Sequence, residues 1–465
     1  MLTQPKARSD SAPSSPDDGS PSAGEPDAPV NSRAAQRVID DLFGPAPERL
    51  FGVRYWDGIA EIPVTAPSFT LVIRRPGALR RMLLPPSELS IVEAYLYGDI
   101  DIQGDIEAAA TLGDVAAQRL SSAGAIARLA QHAFALDSDA PSAEMSTARV
   151  ARRLFRFGRI HSRERDERAV RFHYDVGNDF YALWLDRQMV YSCAYFERGD
   201  ESLDSAQTAK LDYVCRKLRL QRGERLLDIG CGWGALVIHA ARHYGVHATG
   251  ITLSEPQATL ARERVAAAGL SDAVTIEIRD YRTLAGDESF DKISSVGMVE
   301  HVGIERLGEY FDVAYRALKP GGLFLNHGIV SGEKAMHRGL LDPVWRRLWK
   351  RDQFIRRYVF PDGDLVPVST VIAAAEGKGF EVRDVESWRE HYLTTLRHWV
   401  RRLEAHEAEA RAIADDVTFR VWRLYMSAAA HGFRVGRISV IQSLLGKRDS
   451  GGRVSIPRTR ADLYD

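Results

Sequence analysis

The sequence predicts a doubly wound, mostly parallel α/β sheet preceded by a smaller α+β unit. Three observations carry this expectation. From about residue 205 apolar strand-like runs alternate with helix-like ones, the sign of a parallel sheet with helices on both faces. A glycine-rich turn, Asp228-Ile229-Gly230-Cys231-Gly232-Trp233-Gly234, directly follows the first of those strands. The region before residue 136 mixes helix and strand signals without that alternation.

In chain order, residues 1–33 are rich in Ser, Pro, Ala, Gly and Asp and hold almost no large apolar side chains, so they read as a disordered tail. A unit over 34–136 begins with the helix-like RAAQRVIDDLF, continues through the alternating SFTLVI and the basic ALRRMLL, and ends in SIVEAYLYGDIDIQGDIEAAATLG. Residues 137–148 have the composition of a linker. The main unit spans 149–448. RLLDIG, HATGITLS, VTIEIRD, FDKISSVGM and GLFLNHGIV read as successive strands, with ALVIHAARHYG, PQATLARERVAAAG and ERLGEYFDVAYRALKPGG as helices. Residues 449–465 form a C-terminal tail.

Composition narrows the class. The 465 residues are 45% hydrophobic and 27% charged, as in a globular protein too long for a single core. The formal net charge of -1 gives no global attraction to nucleic acid or anionic membrane. Cys193, Cys215 and Cys231 are odd in number and lack metal-ligand spacing, which fits a reducing compartment. No apolar run reaches membrane-spanning length and the N-terminus lacks a secretion signal, so the expected location is cytoplasmic.

Alternate glycines let the backbone turn sharply and approach a ligand closely, although a packing turn has the same pattern. Dinucleotide folds place an acid on the ribose about 20 residues onward. Here that strand ends in Thr249-Gly250-Ile251-Thr252-Leu253-Ser254, which is neutral and argues against NAD. S-adenosylmethionine, which has no phosphates, suits such a site. Asp280, Tyr281 and Arg282 after the third strand stand where they would bracket an adenine, with Asp280 accepting from its amine; a plain strand-end turn fits the spacing equally well.

FHYDVGNDFYALWLD (172–186), YSCAYF (191–196), LLDIGCGWG (226–234), GITLSEPQ (250–257), GMVEHVG (297–303), FLNHGIV (324–330), YVFPDGDL (358–365) and HYLTTLRHW (391–399) together resemble the cyclopropane-fatty-acyl-phospholipid synthases and their mycolic acid relatives. The resemblance runs from about residue 65 to about 440. It implies the class I methyltransferase form of the fold, a Rossmann-like seven-stranded sheet, with S-adenosyl-L-methionine as co-substrate. It implies contacts to that co-substrate from Tyr191 and Ser192, from Gly230 and Gly232 at the methionine part, and from Thr252 and Gln257 near the ribose; Asp228 and Gly234 belong to the same turn. It further implies a bicarbonate ion held by Glu300, His327, Tyr392 and the backbone of Cys193 and Ile329, with His301 behind them. Cys193 is not read as a nucleophile. Taken singly, each has an ordinary structural use: Glu300 as a helix cap, the histidines and Tyr392 as packing.

That chemistry has needs of its own. An alkene is a weak nucleophile, so alignment with the sulfonium methyl must carry the reaction. The resulting carbocation needs anions or aromatic faces nearby. Ring closure needs a base within reach of the transferred methyl, and bicarbonate suits that role. The substrate would be unsaturated phospholipid at a membrane surface, reached by peripheral association with the inner face. Residues 152–168, with seven arginines, and 344–359, where Arg and Lys flank Trp345, Trp349 and Phe354, are the candidate docking segments. Solvated faces or intramolecular ion pairs are their ordinary alternatives. No nucleic-acid motif accompanies them, and a homodimer stays open. The nearest rival outcome is a branched methyl or 10-methylene product; an N-methyltransferase and a non-catalytic lipid-binding protein are more distant.

Overall fold

The computed structural model describes residues 32–139, 176–284, 286, 289–332, 353–360 and 363–464. The N-terminal part builds a four-stranded sheet from β1 (Gly52–Arg54), β2 (Ala60–Glu61), β3 (Phe69–Ile73) and β4 (Ile100–Gly104), in the order β2-β1-β3-β4. In β3 burial alternates, with Phe69, Leu71 and Ile73 turned inward, the pattern of a sheet covered on one face. The helix Arg33–Phe43 buries Ala35, Val38, Ile39 and Leu42 at helical spacing.

The second sheet comprises β5 (Arg225–Ile229), β6 (His247–Thr252), β7 (Val274–Ile278), β8 (Phe290–Val296), β9 (Leu318–Ser331), β10 (Glu381–Ser387) and β11 (Ile438–Gly446), in the order β10-β11-β9-β8-β5-β6-β7. It is parallel throughout except for β11, which runs antiparallel to both β9 and β10. Central strands β5 and β8 are nearly continuously buried because helices cover both faces. All five strands expected from the residues are present. β9 begins at Leu318, earlier than expected, because the preceding helix stops at Ala317 ahead of Pro320, which cannot continue it.

One apolar cluster runs from the N-terminal helix through β3 into the helices Asn178–Ala182, Arg389–Ala405 and Asp416–Arg434, so the small sheet and the roof of the large one share a core. Charged groups seal the seam. Arg397 grips Glu107 with two hydrogen bonds of 2.7 and 2.8 Å. Buried Arg420 donates to the Tyr95 carbonyl and to Asp101. Asp114 accepts from His431 Nε2 at 3.0 Å and pairs with Arg437.

Two expected surface segments take different places. The expected tail 449–465 lies, as far as Tyr464, along the helix Leu203–Leu218: Leu463 is buried, Arg216 donates to its carbonyl, and Arg219 pairs with Asp462. The candidate docking segment 152–168 and residues 344–352 of the other lie outside the described residues. The rest of that second segment turns inward. Phe354 and Tyr358 are buried, and the Tyr358 hydroxyl donates to Glu93 at 3.1 Å, so these aromatic faces are spent on the seam with the N-terminal unit. Among the described residues no helix is long and apolar enough to cross a membrane.

The seam gives a pH-dependent prediction. The His431 hydrogen bond, aided by Arg437, holds the Asp114 carboxyl at about 2, below its ordinary value of 3.8. A depressed carboxyl contributes stability that is complete above the ordinary value and is lost as pH falls through the folded one. Asp114→Asn should therefore lower stability near neutral pH by about 1 kcal/mol, the scale of a partly exposed pair. In thermal unfolding the gap between wild type and variant should close as pH is brought down toward about 2.

Candidate functional site

A cleft opens at the C-terminal ends of β5, β6 and β8, where open α/β sheets place ligands, and encloses about 1450 Å³ of empty space including its mouth. Its floor is the glycine turn. Gly230, Gly232 and Gly234 all adopt positive φ (81°, 54° and 81°), which side chains rarely tolerate. At Gly230 a Cβ would also come within 2.5 Å of Met298 Cγ. Gly232 has nothing within 4 Å of its Cβ position, so its backbone faces open space.

Of the residues expected at the co-substrate, Tyr191, Ser192, Asp228, Gly230, Gly232, Thr252, Gln257, Asp280 and Tyr281 line the cleft. Gly234 does not; it packs against Ala261 beneath the turn. The Thr252 hydroxyl donates to Gln257 Oε1 at 2.9 Å, and the Ser254 side chain caps the helix Glu255–Ala267. Both Asp280 carboxylate oxygens accept from the buried Arg282 guanidinium, which fixes the carboxylate at the cleft wall. Asp228 accepts from the Ser294 hydroxyl at 2.7 Å, and burial pushes its carboxyl up to about 6.

The loop from Met189 to Phe196 forms one wall and is stapled from behind. Gln207 donates to the Ser192 carbonyl at 2.8 Å, Lys210 Nζ to the Ser192 hydroxyl at 2.8 Å, and the Ala194 amide donates to Thr395 Oγ1 at 3.0 Å. Burial lowers Lys210 to about 8, with Asp228 the leading opposing influence. Beside Tyr191 stand Trp184, Trp399 and Trp422, with ring centroids 5.5, 5.3 and 6.0 Å away.

The five residues expected around an anion lie outside the lining of this cleft and gather round β9 and the start of the helix Arg389–Ala405. Glu300 Oε1 accepts from the Ile329 amide at 2.7 Å, so that backbone donor is taken by the chain itself. Glu300 Oε2 is buried without a hydrogen-bond partner, and burial raises the carboxyl to about 7. His327 Nδ1 meets Gln442 Nε2 at 3.1 Å, while Nε2 is buried without a partner. Burial, with Lys210 and Lys217 beyond it, holds His327 well below the usual histidine range, so the ring is neutral. Trp388 meets His327 edge to face at 5.4 Å and also keeps a buried, unpartnered Nε1–H. Cys193 lies at the carbonyls of Ala194 and Trp388, and burial raises its thiol, which suits a backbone role. Tyr392, one turn after Trp388, packs on Trp399 and Phe433. His301 lines the cleft and packs against Phe360.

An unpartnered buried acceptor and donors of this kind fit a small planar oxyanion that both donates and accepts. Among the described residues no cluster of His, Cys, Asp and Glu fits a metal ion. Lys210, Gln207, Lys217 and Gln442 were not singled out in the sequence. For the first three a signal existed: 207, 210, 214 and 217 recur at helical spacing on one face, so this helix carries polar residues where its apolar stripe belongs.

The family model for mycolic acid cyclopropane synthetase matches residues 161–443. A probable fatty acid methyltransferase of Pseudomonas putida is 39% identical over 412 residues, covering 89% of this chain and 95% of its own length. The cyclopropane-fatty-acyl-phospholipid synthase of Escherichia coli K12 is 38% identical over 321 residues, 68% of this chain and 77% of its own. Among solved structures, mycolic acid cyclopropane synthase CmaA1 complexed with SAH and CTAB superposes with a TM-score of 0.56 at 35% identity, covering 60% of this chain and 98% of that one. With the expected seven-stranded sheet in place, the chain belongs to the mycolic acid cyclopropane synthetase family and has the class I S-adenosylmethionine-dependent methyltransferase fold.

Proposed function

We propose that the protein transfers a methylene unit from S-adenosyl-L-methionine to the cis double bond of an unsaturated phospholipid acyl chain, closing a cyclopropane ring. The observation that carries this reading is the pair of unpartnered buried atoms, Glu300 Oε2 and His327 Nε2. A simple methyl transfer to nitrogen or oxygen has no use for such a pair. Ring closure does, because a proton must leave the transferred methyl inside a closed pocket. Bicarbonate, when bound there, would supply the base for that proton.

The chain's own residues supply the rest. The glycine turn gives a sulfonium donor close backbone approach, with Asp228 and Lys210 offering opposite charges in the cleft. Tyr191, Trp184, Trp399 and Trp422 present aromatic faces, each offering a nearby cation about 0.5 to 2 kcal/mol. Ionised Glu300 would accept a hydrogen bond from bound bicarbonate at Oε2, and His327 would donate one to it at Nε2. Tyr392 adds a hydroxyl from the helix Arg389–Ala405, and the burial of Tyr392, His327 and Cys193 excludes water that would otherwise quench a carbocation.

A second reading has its own support: the Pseudomonas putida relative, which matches along 89% of this chain, is a probable fatty acid methyltransferase, so a branched methyl or methylene chain is the alternative product. Incubation with unsaturated phospholipid vesicles and labelled S-adenosylmethionine, followed by proton NMR of the released fatty acids, separates the two. Upfield cyclopropane signals are the expected result; label recovered only in olefinic methylene or methyl branches would overturn ring formation.

Two further outcomes follow from the site. Glu300→Gln and Tyr392→Phe should each cut turnover by about a hundredfold, the scale of a lost acid-base group, while S-adenosylhomocysteine affinity by calorimetry stays within about twofold. Because Glu300 ionises at about 7, wild-type turnover should rise with pH through that value and the Gln variant should lack this limb. Gly230→Ala, which meets Met298 and a positive φ, should weaken S-adenosylhomocysteine binding at least tenfold, about 1.4 kcal/mol.

A further inference from the structure

A buried hydrogen-bonded chain reaches His327 along one face of the sheet, from the helix Leu203–Leu218 across β10 and β11. Lys217 has no exposed side-chain surface; its Nζ lies 2.5 Å from Glu386 Oε2, 3.5 Å from Asp384 and 3.2 Å from Gln442 Oε1. Tyr213 donates to the same Glu386 carboxylate at 3.1 Å. An ammonium group has three donors and no acceptor, so the atom of Gln442 facing it must be the amide oxygen. The Gln442 NH2 therefore points the other way, toward His327 Nδ1 at 3.1 Å. β11 and β9 pair in register at this point, Gln442 opposite His327, which fixes the two side chains as cross-strand neighbours.

The direction of each bond follows from the first. Lys217 donates to Gln442, Gln442 donates to Nδ1, and Nδ1 must accept. A neutral imidazole that accepts at one nitrogen carries its proton on the other. That other nitrogen is Nε2, the atom buried without a partner.

We propose that Gln442, oriented by the Lys217 ammonium, is a positioning residue that locks His327 in the Nε2–H tautomer, so that the site presents an N–H donor alongside the free Glu300 Oε2 acceptor. The inference rests on the oxyanion reading for its purpose but not for its geometry. It also accounts for a lysine in the core: with only an uncharged neighbour behind it, Gln442 could turn its amide over and hand Nδ1 an oxygen.

The test is nitrogen NMR on protein labelled with 15N-histidine, the His327 signals being identified by their loss in His327→Gln. Wild type should show Nδ1 as an unprotonated, pyridine-type nitrogen and Nε2 as a protonated, pyrrole-type one. In Gln442→Glu, which keeps the side-chain size but can only accept, Nδ1 should become protonated. In Gln442→Met, a mixture of tautomers should appear and turnover should fall about tenfold, with S-adenosylhomocysteine affinity unchanged. A proton on Nδ1 in wild type, or an Nδ1 left unprotonated in Gln442→Glu, would overturn the proposal whatever the activity. Adding bicarbonate to wild type separates the two readings: movement of the Nε2 signal supports both, whereas an Nε2–H that ignores bicarbonate leaves the lock standing and counts against the anion site.

Discussion

The helix Leu203–Leu218 drives Gln207, Lys210 and Lys217 into the protein interior, and the site is organised by the need to satisfy them. A buried ammonium is costly unless paired and fully hydrogen-bonded. Lys210 is met by Ser192 on the cleft wall and by the field of Asp228 at the end of β5; Lys217 is met by Glu386 on β10 and Gln442 on β11. One helix thereby holds in register the loop before it, the first strand after it, and two strands more than 150 residues later in the chain. Apolar side chains in those places would pack as well, but they would fix neither the Ser192 loop nor the orientation of Gln442.

The same constraint separates what was legible in the sequence from what was not. The turn at Gly230–Gly234, the strands β5 to β9 and the neutral end of β6 follow from local periodicity and from residue types whose conformational demands are local. β10 and β11 do not: β10 is an edge strand that alternates with polar residues, and β11 is inserted antiparallel between strands that precede it in sequence. The sharing of one core by the N-terminal sheet and the helices Arg389–Ala405 and Asp416–Arg434 is equally nonlocal, as is the docking of Leu463. At the site, Glu300 and His327 came from motif resemblance, whereas the link from Lys217 through Gln442 to His327 joins positions 115 or more residues apart and carries no local pattern. The inward turn of Phe354 and Tyr358 marks a limit of reading amphipathic stretches: a basic, aromatic helix has the same pattern whether its apolar face meets lipid or a neighbouring domain.

The cleft and the anion-suited group around β9 differ in kind. The cleft is open, lined by more apolar than polar surface, and floored by the backbone of the glycine turn, which suits a ligand that enters and leaves at each turnover. The group around Glu300 and His327 is closed and leaves two polar atoms of opposite hydrogen-bonding sense unmatched, which suits a small ion retained between turnovers. Aromatic rings link the two: Tyr191 lines the cleft and packs on Trp399, which in turn meets Tyr392 edge to face.

This division bears on why a methyltransferase fold needs anything beyond its donor cleft here. Transfer to nitrogen or oxygen ends when the methyl moves, because the acceptor's lone pair absorbs the positive charge. Transfer to an alkene ends with charge on carbon, and the outcome depends on which proton is lost next. Loss of a methyl proton while the charge is on the neighbouring carbon gives the ring; loss of an adjacent chain proton gives a methyl branch, and loss of a methyl proton after a hydride shift to that carbon gives a methylene branch. In the proposed reaction, the hydrogen-bonding direction imposed on His327 and the free oxygen of Glu300 would act on that choice by holding the base that takes the proton. Product identity in that reaction turns on how one proton acceptor is held, and the His327 donor beside it is oriented along the same face of the sheet by a buried lysine acting through Gln442.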